Sequence, residues 1–124
     1  MTGQQAVREA MKLLGYTDVA GEIDSTQYAE LQKRVGVMVT QLVAELSLDE
    51  SGRMTVPDAW YDELPLSEQT ARCVLPYGIA MWLAASQGDG DRQQLFAALY
   101  DRRRVSVCRR EERVVDTLPR EVGS

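Results

Sequence analysis

The pattern of apolar and polar residues along the chain predicts amphipathic helices packed around one segment that is apolar on all sides. From Leu75 to Ala85 nearly every residue is apolar, and a helix without a polar face has to be surrounded by protein. The segment is too short to span a bilayer core, which needs about 20 apolar residues. We therefore predict a central buried helix, within a stretch from Leu66 to Arg104 that organises the fold.

Capping and breaking residues predict the helix boundaries around this segment. Ser67 is a good N-cap, so a helix is expected to begin there. Pro76 removes a backbone donor inside the helical pattern, which predicts a kink or break near Val74 and Leu75. The run from Ser86 to Asp91 supplies a glycine stop and an aspartate cap, and together these elements predict a helical hairpin.

Three further helices are predicted from apolar residues that recur three and four positions apart. The first runs from Gln4 to Leu14, and the longest runs from Asp24 or Ser25 to about Leu46. The third is the partner helix of the hairpin, from Arg92. The predicted core is formed by Leu31, Val35, Met38, Leu42, Leu75, Ile79, Trp82, Leu83, Leu95, Phe96 and Leu99.

Two glycines lie inside predicted helices, where glycine costs about 1 kcal/mol relative to alanine. Gly78 would allow a neighbouring backbone to come close. At Gly36 a close helix crossing and a tolerated surface glycine both fit the pattern.

Helical periodicity is lost between the long helix and Ser67. The stretch from Ser47 to Pro65 is rich in turn-forming residues and predicts an extended loop, with a short strand at Met54 to Val56. Loops of this length within a compact domain are usually functional or disordered. Trp60 and Tyr61 on this loop either anchor a neighbouring subunit or fold back onto the chain's own core.

The composition fits one globular domain and restricts its chemistry. The chain has 124 residues, of which 44% are hydrophobic and 27% charged. It has no histidine, which excludes hydrolases built on Ser-His or Cys-His pairs, and it has no phosphate-binding glycine loop. The two cysteines, Cys73 and Cys108, lack a CxxC spacing. We expect no enzyme activity, no metal and no cofactor.

Net positive charge is confined to one short block near the C-terminus. Residues 1–101 carry 7 basic and 15 acidic residues, a net charge of −8, whereas residues 102–113 carry 6 arginines and 2 glutamates, a net charge of +4. Arg102, Arg103 and Arg104 are consecutive, so they point about 100° apart on a helix and cannot all pack on one side. The block is either a solvated helix end that suits the helix dipole or a contact with a partner.

The string LPYGIAMWLAASQGDGDRQQLFAALYDRRR, from Leu75 to Arg104, resembles the core of the small head-tail connector (adaptor) proteins of long-tailed bacteriophages. The shared pattern is an LPYG-type start, an alanine-rich buried helix, a Gly/Asp turn, and a helix that ends in an aromatic followed by basic residues. We predict an all-α bundle of about four helices with a long loop. Residues 1–104 would form the helical connector domain and residues 105–124 an extended C-terminal arm.

The resemblance implies a structural role in the virion. Connector subunits form a ring beneath the portal, extend the DNA channel and prepare the filled head for tail attachment. The expected partners are further copies in a cyclic ring that matches the portal symmetry, the portal protein, and a tail-side completion or tail terminator protein. DNA would pass only as cargo, and no membrane is involved. The expected location is the head-tail interface, after assembly in the host cytoplasm.

Two functions for the arginine block remain open. In a connector, the block and the segment after it would form a portal-facing arm that pairs with carboxylates through bidentate contacts. The alternative is a small nucleic-acid-binding module that uses segment 102–113, although the sequence pI near 4.7 and the absence of a reading helix beside the arginines disfavour it. The candidate residues for a portal or subunit interface are Arg102, Arg103, Arg104, Arg109, Arg110, Arg113, Trp60 and Tyr61.

Overall fold

The structure is a computed structural model that describes residues 1–17, 20, 22–23, 25–53 and 61–123, with the side chains of residues 25–27, 31–33 and 108–123 outside the description. Within these ranges it contains helices and no strand, which confirms the predicted all-α fold. The helices are α1 (Gly3–Leu13), α2 (Ser25–Ser51), α3 (Glu68–Cys73), α4 (Leu75–Ser86) and α5 (Gly90–Gly123).

Helix α4 is the centre of the fold, as its apolar sequence predicts. It packs against each of the other four helices, and its contact with α5 is the most extensive. Ile79 and Leu83 are fully buried, together with Leu75 at the start of the helix. Because most of this helix is covered by its neighbours, its sequence needs no broad polar stripe.

The predicted break lies at Val74, which separates α3 from α4. Ser67 caps α3, since its Oγ accepts a hydrogen bond from the Thr70 backbone N–H at 3.2 Å. Pro76 lies in the first turn of α4, where its missing N–H leaves no intrahelical bond unmade. The proline thus divides one predicted helix into two, which accounts for five helices in the described ranges where about four were expected.

The α4–α5 hairpin closes through the predicted glycine stop. Gly88 has a φ of 71°, the left-handed conformation that glycine adopts without strain at a helix C-terminus. The next helix is capped by Asp89, whose Oδ1 accepts a hydrogen bond from the Arg92 backbone N–H at 3.1 Å. Helix α5 therefore begins at Gly90, two residues before the predicted start.

The predicted core is correct at most of its positions and wrong at two. Trp82 is 38% exposed and Leu95 is 55% exposed. Phe96 occupies the inward position of α5, so Leu95, about 100° around the helix, faces outward. Trp82 is too large to be covered completely at the edge of a small domain. Among the other predicted core residues, Val35, Leu42, Leu75, Ile79, Leu83 and Phe96 are buried, Met38 and Leu99 are half-buried, and the side chain of Leu31 lies outside the described residues.

The long connection is shorter than predicted, because α2 continues through Ser51. Its two ends are tied together: Glu50 at the end of α2 accepts hydrogen bonds from the Ser67 backbone N–H at 3.0 Å and from the Ser67 Oγ at 2.6 Å. The strand predicted at Met54 to Val56 lies outside the described residues, as does Trp60.

The C-terminal arm, predicted to be extended, is helical as far as Gly123 because it forms the second part of α5. Val107 is buried and anchors this region against the domain. Packing of that kind overrides the slight preference of valine for strands.

Candidate interaction surface on helix α5

The three consecutive arginines of α5 have three different environments. Arg104 reaches across to α2, where its Nε lies 2.5 Å from Asp49 Oδ2 and its Nη2 lies 3.1 Å from Asp49 Oδ1. This is a bidentate guanidinium–carboxylate pair, the geometry that binds most strongly. Glu45 adds a second carboxylate, 4.0 Å from Arg104 Nη1. The hydrogen bond to Asp49 raises the pKa of Arg104, so this side chain stays charged and fastens α5 to α2.

Arg103 turns toward α3 and α4. Its Nη1 donates a hydrogen bond to the backbone carbonyl of Cys73 at 3.2 Å, at the last residue of α3. Its Cζ also lies 4.1 Å from the centre of the Tyr77 ring, within the range of a cation–π interaction. Arg103 is therefore bound within the fold, and its charge caps a helix C-terminus.

Arg102 differs from its two neighbours because it is exposed and has no hydrogen bond or ion pair within the part of the chain that the structure describes. Of the three consecutive arginines, Arg102 is thus the one whose guanidinium remains available to a partner. Of the three consecutive arginines in the predicted interface block, one faces outward and two stabilise the fold.

A groove of about 440 Å³ lies between α3 and α5 beside Arg102. Leu99 and Val107 form its apolar part, and none of the described side chains that line it is acidic. The polar part of its lining comes from Gln69, Cys73, Arg102, Arg103 and Ser106. The groove combines cationic and hydrogen-bonding groups with an apolar wall, which suits an anionic ligand that also carries an apolar group.

The remaining arginines of the predicted interface are on the helical continuation of α5, and their side chains are outside the described residues. Positions 102, 109 and 113 are seven and eleven residues apart, so on a helix with about 100° per residue they fall on one stripe. Position 110 lies next to that stripe. The helix backbone therefore aligns a row of arginine positions with exposed Arg102.

Of the two loop aromatics, Tyr61 is 72% exposed, and Trp60 is outside the described residues. Tyr61 therefore does not fold back onto the core, which was one of the two interpretations of the loop. Leu64, three residues later, is buried instead, and its backbone N–H donates to the Met1 carbonyl at 3.0 Å. The chain is thus anchored just after Tyr61 and presents that ring to solvent.

The contacts that organise this surface were not apparent in the sequence. Asp49 and Arg104 are 55 positions apart, and no local pattern marks them as partners. Tyr77 was read only as part of an apolar segment, yet its ring supports Arg103. In both cases the sequence shows the ionisable or aromatic side chain itself. Its partner is brought close only by the tertiary fold.

The described residues hold no group of three or more acidic or cysteine side chains that could bind a metal ion. None of the helices in the described ranges combines the length and the apolar character that crossing a bilayer requires.

Comparisons of the chain with protein-family models, with curated proteins and with solved structures found no match. The function of this chain is therefore inferred from its own residues and from the resemblance of residues 75–104 to connector proteins.

Proposed function

We propose that this chain is a structural head-tail connector subunit of a long-tailed bacteriophage, which forms a ring beneath the portal and extends the DNA channel toward the tail. The observation that supports this proposal most is the position of the connector-like segment. The LPYG-type start and the alanine-rich helix make up α4, on which all other helices pack, and the Gly/Asp turn leads into α5. The part of the chain that carries the resemblance is thus the part on which the fold depends.

The charge distribution also supports a role in assembly. Of the three consecutive arginines of α5, two are fixed within the fold and one is exposed, and the exposed one begins the stripe of positions 102, 109 and 113. We assign positions 109 and 113 of this stripe as the contact with carboxylates of the portal. The acidic remainder of the chain would repel the phosphates of DNA that passes through the ring.

The alternative, a nucleic-acid-binding module, requires several free arginines on one face. Arg103 and Arg104 are less suited to bind phosphate because their guanidinium groups already have partners within the chain. Asp49 and Glu45 beside Arg104 would also repel a phosphate backbone. These contacts favour the connector over the nucleic-acid-binding module.

The proposal is tested by removing the gene from the phage that carries it and examining the particles by electron microscopy. We expect DNA-filled heads that do not gain tails, and normal particles when the intact chain is supplied from a plasmid. Heads that join tails at normal yield without the chain would show that the proposal is wrong.

A second complementation test addresses the arginine stripe. The combined substitution of Arg109→Glu and Arg113→Glu spares Arg102, Arg103 and Arg104, whose environments the structure describes. We expect a folded protein by circular dichroism that no longer attaches to portal-bearing heads. The matched control is Arg34→Glu with Arg72→Glu, which makes the same change in net charge on α2 and α3, where both side chains are largely exposed.

A further inference from the structure

The groove between α3 and α5 has an unmatched positive charge. Arg102 lines the groove and has no ion pair among the described residues, and no described lining residue carries a carboxylate. Leu99 and Val107 give the same groove an apolar wall. A complementary ligand would bring a carboxylate to Arg102 and an apolar or aromatic group to this wall.

The loop that precedes α3 carries a segment of this chemistry. Tyr61 is 72% exposed, and Asp62 beside it is exposed and has no ion pair within the described ranges. Glu63 remains 77% exposed although it pairs with the amino group of Met1. The segment is held in place because Leu64 is buried directly after it and because Ser67 is hydrogen-bonded to the end of α2.

We infer that the groove between α3 and α5 binds the Tyr61–Glu63 segment of a second copy of this chain. Asp62 pairs with Arg102, and the ring of Tyr61 packs on the wall formed by Leu99 and Val107. The ring oligomer itself rests on the proposed function, whereas the two surfaces follow from their charge and exposure.

The occupant belongs to another copy because the segment is exposed in its own chain. Tyr61 would lose most of its exposure if it occupied the groove of the same subunit. Groove and segment are different surfaces, so each subunit uses its groove toward one neighbour and its segment toward the other. Repeated contacts of this head-to-tail kind close into a ring when the rotation between subunits allows it.

Sedimentation velocity of the purified chain over a range of protein and salt concentrations tests the inference. We expect self-association that weakens as salt rises, because the ion pair is near the surface. Arg102→Glu should weaken the association constant about tenfold, since the reversal replaces an attraction with a repulsion. Asp62→Arg should weaken it similarly, and the double variant, which restores opposite charges, should recover most of the loss.

The matched control is Arg72→Glu, which makes the same charge change on α3 outside the groove lining. It should associate like the wild type. The inference is wrong if Arg72→Glu and Arg102→Glu are equally impaired, if the double variant does not recover, or if the wild type stays monomeric at millimolar concentration.

Cross-linking provides a second measurement, because Cys73 lines the groove. In a Cys108→Ser background, Tyr61→Cys should be joined to Cys73 of another copy by a short bis-maleimide, which would give dimers and larger products on a denaturing gel. Val37→Cys, placed on α2 at a residue that is 78% exposed, should give none of these products. Equal cross-linking from both positions would overturn the inference.

The outcomes of these experiments can be distinguished from those of the experiments that test the proposed function. Assembly through the groove without any attachment to portal-bearing heads would support the inference and contradict the connector role. Conversely, the chain could prove to be required for tail joining while its self-association is unchanged by the Arg102 and Asp62 substitutions. That result would support the connector role and contradict the inference.

Discussion

Gly78 of α4 and Tyr100 of α5 interlock so closely that a Cβ atom added to Gly78 would lie 2.8 Å from the Tyr100 ring. Real Cβ atoms essentially never come so near, and Tyr100 is only 4% exposed, so the ring has little freedom to move away. The glycine is thus required by a side chain of the partner helix, whereas the sequence had suggested a close backbone. This contact fixes the separation of the two helices that form the central hairpin.

Gly78→Ala is expected to destabilise the protein by about 1 to 2 kcal/mol. The strain of forcing a methyl group against a packed ring, typically about 1 to 3 kcal/mol, outweighs the gain of about 1 kcal/mol in helix propensity. Chemical denaturation measures the change in the free energy of unfolding. The control is Gly36→Ala in α2, where an added Cβ meets nothing within 4 Å and a small gain in stability is expected. A Gly78→Ala protein as stable as the Gly36→Ala protein would contradict the tight contact.

The buried hydroxyl of Tyr100 is expected to make stability depend on pH in the alkaline range. Burial raises the pKa of Tyr100 from 10.0 to about 12, and this hydroxyl has no hydrogen-bond partner among the residues that the structure describes. Because the folded pKa is above the unfolded one, its contribution to stability is complete below pH 10 and is lost as the pH rises toward 12.

Tyr100→Phe tests this assignment. Removal of an unsatisfied buried hydroxyl should leave stability at pH 7 unchanged or raise it by about 1 kcal/mol. The stability difference between this variant and the wild type should then grow in favour of the variant between pH 10 and 12. A difference that does not vary over this range would show that Tyr100 does not titrate as the buried group described here.

The bidentate pair between Arg104 and Asp49 is expected to stabilise the packing of α5 on α2. Both side chains are partly shielded from water, with 33% and 23% exposure, so their coupling should exceed the 0.2 to 1 kcal/mol usual for exposed pairs and reach about 1 to 2 kcal/mol. A double-mutant cycle with Arg104→Gln and Asp49→Asn, followed by urea unfolding, measures this coupling. Arg102→Gln is the matched control and should change stability by less than about 0.5 kcal/mol.

The difference between these two arginines shows where sequence reasoning succeeds and where it fails. Ser67, Pro76 and Gly88 act through the backbone next to them, and the sequence therefore predicts the start of α3, the break before α4 and the turn of the hairpin. Arg104 and Arg102 are adjacent in a uniform basic run, and only the position of α2 decides which of them is bound.

The sequence likewise does not show which side chains lie on the exposed side of the domain. The all-apolar sequence of α4 identifies it as the central helix but not which of its side chains lies at the edge, and Trp82 was therefore misplaced in the core. On α5, apolar residues recur three and four positions apart, and this spacing is compatible with either Leu95 or Phe96 as the inward residue. The choice depends on the rotation of α5 about its axis, which is set by the contact between Tyr100 and Gly78.

Binding to duplex DNA separates a connector from a nucleic-acid-binding module. A protein that neutralises several phosphates loses affinity steeply as salt rises, with a slope of about −0.9 per phosphate contact in a plot of log K against log salt. In this chain Arg103 and Arg104 are bound internally, and the sequence outside residues 102–113 is strongly acidic. We therefore expect negligible binding to a fluorescein-labelled duplex in anisotropy titrations near 0.15 M salt. Binding at this salt, with a slope that indicates four or more contacts and that Arg102→Glu reduces by about one contact, would instead establish α5 as a surface that binds nucleic acid.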